Sequence, residues 1–137
     1  MELTPYLLFD GTCAEAFKFY EKCLEGQLIA MFTHGESPMG DQTTPELRDK
    51  IMHAALKVGD AMILGSDVPS GMYQRPQGFS VSLSIDDVAR GERIFAALAE
   101  GGQVRMPLQA TFWAKSFGDV VDRFGTPWMI SAGSVQF

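Results

Sequence analysis

The sequence predicts an α+β fold of two βαβββ modules, whose eight strands form a cup-shaped mixed sheet with the helices on its outer face. Three observations carry this. The order strand, helix, three strands occurs twice in 137 residues. The glycine ending each helix recurs at a spacing of 76, Gly26 against Gly102, as does the last residue of each first strand, Phe9 against Ile85. Between the halves, Asp67–Gln77 holds Pro69, Gly71 and Pro76, the composition of a linker. Tyr20 answers to Phe95 at a spacing of 75, and after the long loop of the first half the spacing drops to 66, Met62 to Trp128. Offsets that persist through strand, helix and glycine stop mark a repeated supersecondary unit. The chain is read as a single domain, with module 1 at about 1–68 and module 2 at about 78–137. A ferredoxin-like domain, with fewer strands, is the alternative.

In the first module a short apolar strand covers Leu3–Phe9. Helix 1 follows from Cys13 to about Leu24, with Thr12 and Glu15 spaced as a capping box and Gly26 as the glycine stop. Cys13, Ala16, Phe17, Tyr20 and Leu24 recur at helical spacing and form its buried stripe. Strand 2 is Gln27–Thr33, followed by a polar loop to Asp49 with a helical turn at Glu46–Asp49. Strands 3 and 4, Ile51–Val58 and Ala61–Ser66, flank Gly59-Asp60, a Gly-X pair suited to a type II′ hairpin. The second module repeats the pattern. Strand 5 is Phe79–Ile85, and helix 2, capped by Asp86 or Asp87, runs to Glu100 before Gly101-Gly102. Strands 6, 7 and 8 are Val104–Gln109, Phe112–Val121 and Thr126–Ser131.

Composition narrows the function. Hydrophobic residues make up 46% and charged residues 20%, which suits an ordered core. Eleven Lys and Arg against seventeen Asp and Glu give a net charge of −6, and an acidic balance with no Lys/Arg block argues against nucleic-acid and anionic-membrane partners. The longest apolar run, Ile94–Ala99, is far short of the roughly 20 residues that span a bilayer. The first residues carry no basic n-region, so no signal peptide is expected and the protein is placed in the cytoplasm. Cys13 and Cys23 lie about 15 Å apart along one helix, too far for a disulfide, and are read as structural thiols. No Gly-x-Gly-x-x-Gly or P-loop pattern occurs, so dinucleotide and nucleotide-phosphate chemistry lacks its cradle.

Several residues are candidates for a ligand site. His53 shares a strand face with Ile51, Ala55 and Lys57, either as a structural histidine or as an acid/base and hydrogen-bonding group. His34 is read as a loop residue, although with His53 and Glu36 or Asp41 it offers an alternative metal set. Trp113, Lys115 and Phe117 share a face of strand 7, as core or as an aromatic wall with a cation for an anionic ligand. Trp128 is read as core beneath helix 2, and Asp122 and Arg123 as turn residues before strand 8. Methionines 31, 39, 52, 62, 72, 106 and 129 suit adaptable apolar walls or plain core filling.

The chain resembles the vicinal oxygen chelate superfamily of glyoxalase I, bleomycin-resistance proteins and extradiol dioxygenases, and more closely its PhnB-like branch. The resemblance rests on the stretches Pro5–Phe9, Ala14–Tyr20, Met52-His53-Ala54, Gly59-Asp60, Ser66-Asp67, Phe112-Trp113-Ala114, Phe117-Gly118 and Asp122–Ile130. It implies a metal held by one residue from the first and last strand of each module. Those positions align with Pro5, Leu64, Ser80 and Met129, none a good donor for a divalent ion. A slip of one residue reaches Phe79 or Gly65, which is no better. No metal and no other cofactor is therefore expected. The expected function is binding of a small organic molecule, with His53, Trp113, Lys115, Phe117, Ser80 and Met129 as ligand contacts. Whether the chain also catalyses is left open. The alternatives are a metal-dependent lyase or dioxygenase-like enzyme and a drug-sequestering resistance protein. The resemblance also implies a homodimer. Relatives in this branch often carry a demethylubiquinone methyltransferase label, which the missing glycine-rich nucleotide turn does not support.

Overall fold

Both helices and all eight strands form in the predicted order in the computed structural model, which describes residues 1–134. They are β1 (Tyr6–Phe9), α1 (Cys13–Cys23), β2 (Gln27–Thr33), β3 (Ile51–Val58), β4 (Ala61–Asp67), β5 (Val81–Ile85), α2 (Val88–Ala99), β6 (Gln103–Gln109), β7 (Ala114–Val121) and β8 (Pro127–Ser134). The strands divide into two four-stranded sheets, one per module, in the orders β1-β4-β3-β2 and β5-β8-β7-β6. In each sheet the first strand pairs in parallel with the last, and the other pairings are antiparallel. The chain separates into two compact units, Met1–Gln74 and the part from Arg75 on.

Three strands begin two or three residues later than expected, for local reasons, and β8 runs on to Ser134 rather than ending at Ser131. β1 begins at Tyr6 because Leu3 projects almost fully into solvent with no strand beside it, and Pro5 contributes only a carbonyl, which accepts from Leu64 N. β5 begins at Val81, opposite Trp128, since the preceding Pro127 has no N–H to continue the ladder. β7 begins at Ala114 rather than Phe112 because Thr111 folds the chain into a turn. Its Oγ1 accepts from Trp113 N and Ala114 N, and its own N–H donates to Ala114 O.

The helix ends also show which residue does what. Thr12 makes no side-chain cap on α1, so the expected capping box does not form. The carboxylate of Asp67, delivered by the β1–β4 pairing, accepts from Cys13 N at 3.0 Å instead. On α2 the cap is Asp87, whose Oδ1 accepts from Ala89 N and Arg90 N. The Gly59 turn has φ +59° at its first central residue only, as a type II′ hairpin requires.

After α1 the left-handed position falls on Glu25 (φ +55°), not on Gly26, which donates back to Glu21 O in a Schellman arrangement. In the second module the same position is Gly101, at φ +75°. Gly26 and Gly102 serve close approach, since a Cβ there would lie 2.7 Å from Lys57 O and 2.3 Å from Val121 O. Glu25→Gly is therefore expected to stabilise the chain by about 1 kcal/mol, the cost of an L-residue in the left-handed region. A urea titration giving an unchanged or lower midpoint would contradict this.

Each helix covers one face of its own sheet. In the first module that face holds Leu7, Phe9, Ala54, Leu56 and Ile63, with the Phe17 ring lying over Gly65. In the second it holds Val120, Trp128, Ile130 and Ala132, with Gly91 of α2 against Ala132 and Phe95 over Gly118. Trp128 is fully buried here, as the core reading expected. Side chains alternate across a strand, so the remaining residues of each sheet stand on an opposite, helix-free face.

Candidate functional site

Strand register assembles the helix-free face of the first sheet row by row. One row runs Leu8, Ser66, His53, Phe32, and the next runs Tyr6, Leu64, Ala55, Ala30. Met62, Lys57 and Gln27 form a third. The His53 ring sits between Tyr6 and Phe32, with centroids at 6.1 and 5.9 Å and both planes inclined by 41°. It is half-buried, and among the described residues neither of its nitrogens has a hydrogen-bond partner. No fully buried side-chain nitrogen or oxygen lacks a partner among these residues, so the imidazole nitrogens reach solvent. Packing holds this ring, and its polar chemistry is left available.

His34 has the opposite character. Its Nε2–H donates to Asp67 O at 3.0 Å, and its backbone N donates to Lys50 O, which makes it a loop strut. The Asp67 carboxylate, 2% exposed, takes Cys13 N on Oδ1 and Ile51 N at 2.8 Å on Oδ2, joining α1, β3 and β4. Burial first, and the Asp67 charge second, push the Cys13 thiol far above its ordinary range, so it stays protonated and inert. Glu36 exchanges hydrogen bonds with Thr33 through backbone and side chain, which hold its carboxyl below the usual range. Shallow clefts of about 580 and 310 Å³ flank the 34–50 loop. In the larger, Lys50 Nζ donates to Gly11 O and Ser70 Oγ to Asp10 Oδ2.

The helix-free face of the second sheet is more polar. Ser82, Met129, Asp119 and Met106 form one row, and Ser84, Ser131, Phe117 and Gln109 the next. Asp119 is paired to Arg105 at 3.0 Å. Phe117 is buried and meets Trp113 edge-on at 5.2 Å, while Trp113 also meets Phe112 at 4.8 Å. Trp113 thus contacts Phe117 from the β6–β7 turn rather than from strand 7. Lys115 is exposed on β7 opposite Gly133, and Ser80 lies ahead of β5. Asp122 is a buried turn residue: Oδ1 accepts from Phe124 N and Thr126 N, and Oδ2 from Trp128 Nε1. Arg123 Nε donates to Glu100 O, tying this turn to the end of α2.

Across the strands the residue paired with Leu64 is Tyr6, and the residue paired with Met129 is Ser82. Pro5, Leu64, Ser80 and Met129, the positions aligned to the superfamily metal, offer one hydroxyl and one thioether. The two neighbours add only a phenol and a second hydroxyl, which does not fit a divalent ion needing imidazole or carboxylate donors. Among the described residues, no three His, Cys, Asp or Glu side chains are grouped to hold a metal, and the His34, His53, Glu36 and Asp41 set does not assemble.

A family model described as 3-demethylubiquinone-9 3-methyltransferase matches residues 1–131 of the chain. The chain belongs to this PhnB-like family. Protein YjdN of Escherichia coli K12 is 37% identical over 145 residues, covering 99% of this chain and 98% of that protein. The crystal structure of PA1353 from Pseudomonas aeruginosa is 47% identical with a TM-score of 0.88, covering 96% and 97% of the two chains. The PhnB protein from Bacillus cereus shares the fold at 21% identity and a TM-score of 0.78, covering 96% and 99%. A glyoxylase/bleomycin resistance protein/dioxygenase domain from Frankia, at 13% identity and a TM-score of 0.67, and the fosfomycin-resistance protein FosX from Mesorhizobium loti, at 12% and 0.60, share the fold too. In this PhnB-like chain Tyr6, Phe32 and Asp67 are the residues that sequence reasoning passed over. Tyr6 and Phe32 are recognisable only through cross-strand register, and Asp67 only through contacts 54 and 16 residues away.

Proposed function

We propose that the chain binds a small organic molecule against the helix-free face of its first sheet, without the metal ion of the wider superfamily. The observation that carries this is His53, an imidazole fixed between two aromatic rings yet without a hydrogen-bond partner among the described residues. A half-buried polar group on an apolar surface is the arrangement by which pockets orient ligands. The poor donor set supports the metal-free part of the reading. The methyltransferase in the family's description finds no support. Each sheet is mostly antiparallel, and no glycine-rich strand-to-helix turn is present in the sequence to cradle a nucleotide cofactor. No helix of the described residues is long and apolar enough to cross a membrane.

The buried Cys13 and Cys23 thiols, neither held in a disulfide, suit a reducing cytoplasm. A homodimer would cover strand edges where Ile29, Val104 and Met106 stand exposed. A metabolite library read by thermal shift tests the binding reading, with elemental analysis and sedimentation on the same preparation, purified without metal resin. A stabilising compound whose effect is lost in His53→Phe, no stoichiometric metal, and a dimer mass are expected. A metal near one equivalent, with EDTA lowering Tm, would overturn the metal-free reading. Stabilisation untouched by His53→Phe would overturn the assignment to this face, and a monomer the dimer.

A further inference from the structure

The smaller cleft of the first unit, about 310 Å³, lies between the long loop and the start of β3. His34, Met39, Leu47 and Met52 line it, hydroxyl and amide side chains complete its wall, and no carboxylate or ammonium is among them. The loop is tightly wound here. His34 N and Gly35 N donate to Lys50 O and Arg48 O, Gly40 N donates to Ser37 O, and a Cβ on Gly40 would collide with Gly35 O. Met39 is thereby carried back onto the cleft that His34 and Met52 share. The two methionines are 55% and 37% exposed, so their thioethers stand at the surface rather than in the core.

The tautomer of His34 is fixed as well. A carbonyl only accepts, so the 3.0 Å contact with Asp67 O puts a proton on Nε2. In the neutral imidazole the lone pair then belongs to Nδ1, which has no partner among the described residues. A ring whose other nitrogen donates to a backbone carbonyl is the arrangement that orients a metal-binding histidine. We infer that this cleft binds a soft monovalent metal ion, Cu(I), through His34 Nδ1 and the sulfurs of Met39 and Met52. Thioethers select Cu(I), whereas the harder divalent ions want oxygen donors such as carboxylates, and none lines the cleft. The site is separate from the ligand face proposed above, since Met52 and His53 project to opposite sides of β3.

The test is an NMR titration of the full, metal-free chain with Ag(I), a redox-silent analogue of Cu(I). The ε-methyl signals of Met39 and Met52 and the Nδ1 signal of His34 should shift together, while Met31, Met62, Met106 and Met129 stay in place. Cu(I) affinity, measured without oxygen by competition with bicinchoninate, should fall about tenfold or more in Met39→Leu and in Met52→Leu. Leucine keeps the volume of methionine, and thermal melts of both variants check that the fold is retained. His53→Phe should leave the affinity unchanged, and Zn(II) should move none of these signals. Ag(I) that shifts Cys13 or Cys23 but neither methionine methyl overturns the inference. So does a Cu(I) affinity unchanged in the Met39→Leu/Met52→Leu double variant or lowered in His53→Phe, or equal binding of Zn(II). The binding reading of the helix-free face rests on other residues and stands or falls by its own test.

Discussion

Asp67→Asn is expected to lower stability by about 3 kcal/mol, the loss of a charge-assisted hydrogen bond plus an orphaned buried donor. The carboxylate is 2% exposed and accepts from Cys13 N and Ile51 N, one on each oxygen. An asparagine keeps one acceptor and turns its NH₂ against the second N–H, so one of the two donors goes unsatisfied. For a chain of this length the Tm should fall by roughly 10 °C, since each kcal/mol shifts it by about 3–4 °C. The Cys13 thiol should remain unreactive in the folded variant, because burial is the larger cause of its raised pKa and the Asp67 charge the smaller. A urea midpoint within error of the parent would show that neither hydrogen bond matters to folding.

Asp122→Ala should cost about as much, about 3 kcal/mol, for a related reason in the second module. Its loss removes the acceptor that serves Phe124 N, Thr126 N and Trp128 Nε1, with Trp128 fully buried. Trp128→Phe removes the indole donor as well, so the double variant should recover about 1 kcal/mol relative to the sum of the single ones. Additive losses in that cycle would mean that the 2.8 Å contact between Asp122 Oδ2 and Trp128 Nε1 carries no coupling.

These two carboxylates also mark where the sequence was readable. Asp122 was legible as a turn residue because its backbone partners lie two and four positions away. Asp67 was not, because its partners come from strand pairing, and a local pattern of Thr12 and Glu15 offered a cap that the structure does not use. β2 and β3 were readable to the residue, since glycine and polar runs bound them. The start of β7 was not, because Phe112 and Trp113 have strong strand propensity and only the Thr111 hydroxyl turns them out of the ladder. At the candidate site His53 stood out by residue type. Its aromatic neighbours depended on register, which no single strand specifies.

The parallel pairing of β1 with β4 has a kinetic consequence. Tyr6 and Leu64 meet across 58 residues, whereas β3 and β4 are joined by a two-residue turn and β2 lies against β3. Closing the long loop is entropically the harder step, so the β2–β3–β4 meander should assemble ahead of β1 during refolding. The reverse order should govern opening. β1 touches the sheet along one edge only, so its amides should exchange with deuterium through a partial opening while those of β3 wait for global unfolding. Tyr6, one wall of the His53 clamp, rides on that outermost strand. The imidazole would then lose one of its two ring neighbours in a minor, transient state of the otherwise folded protein.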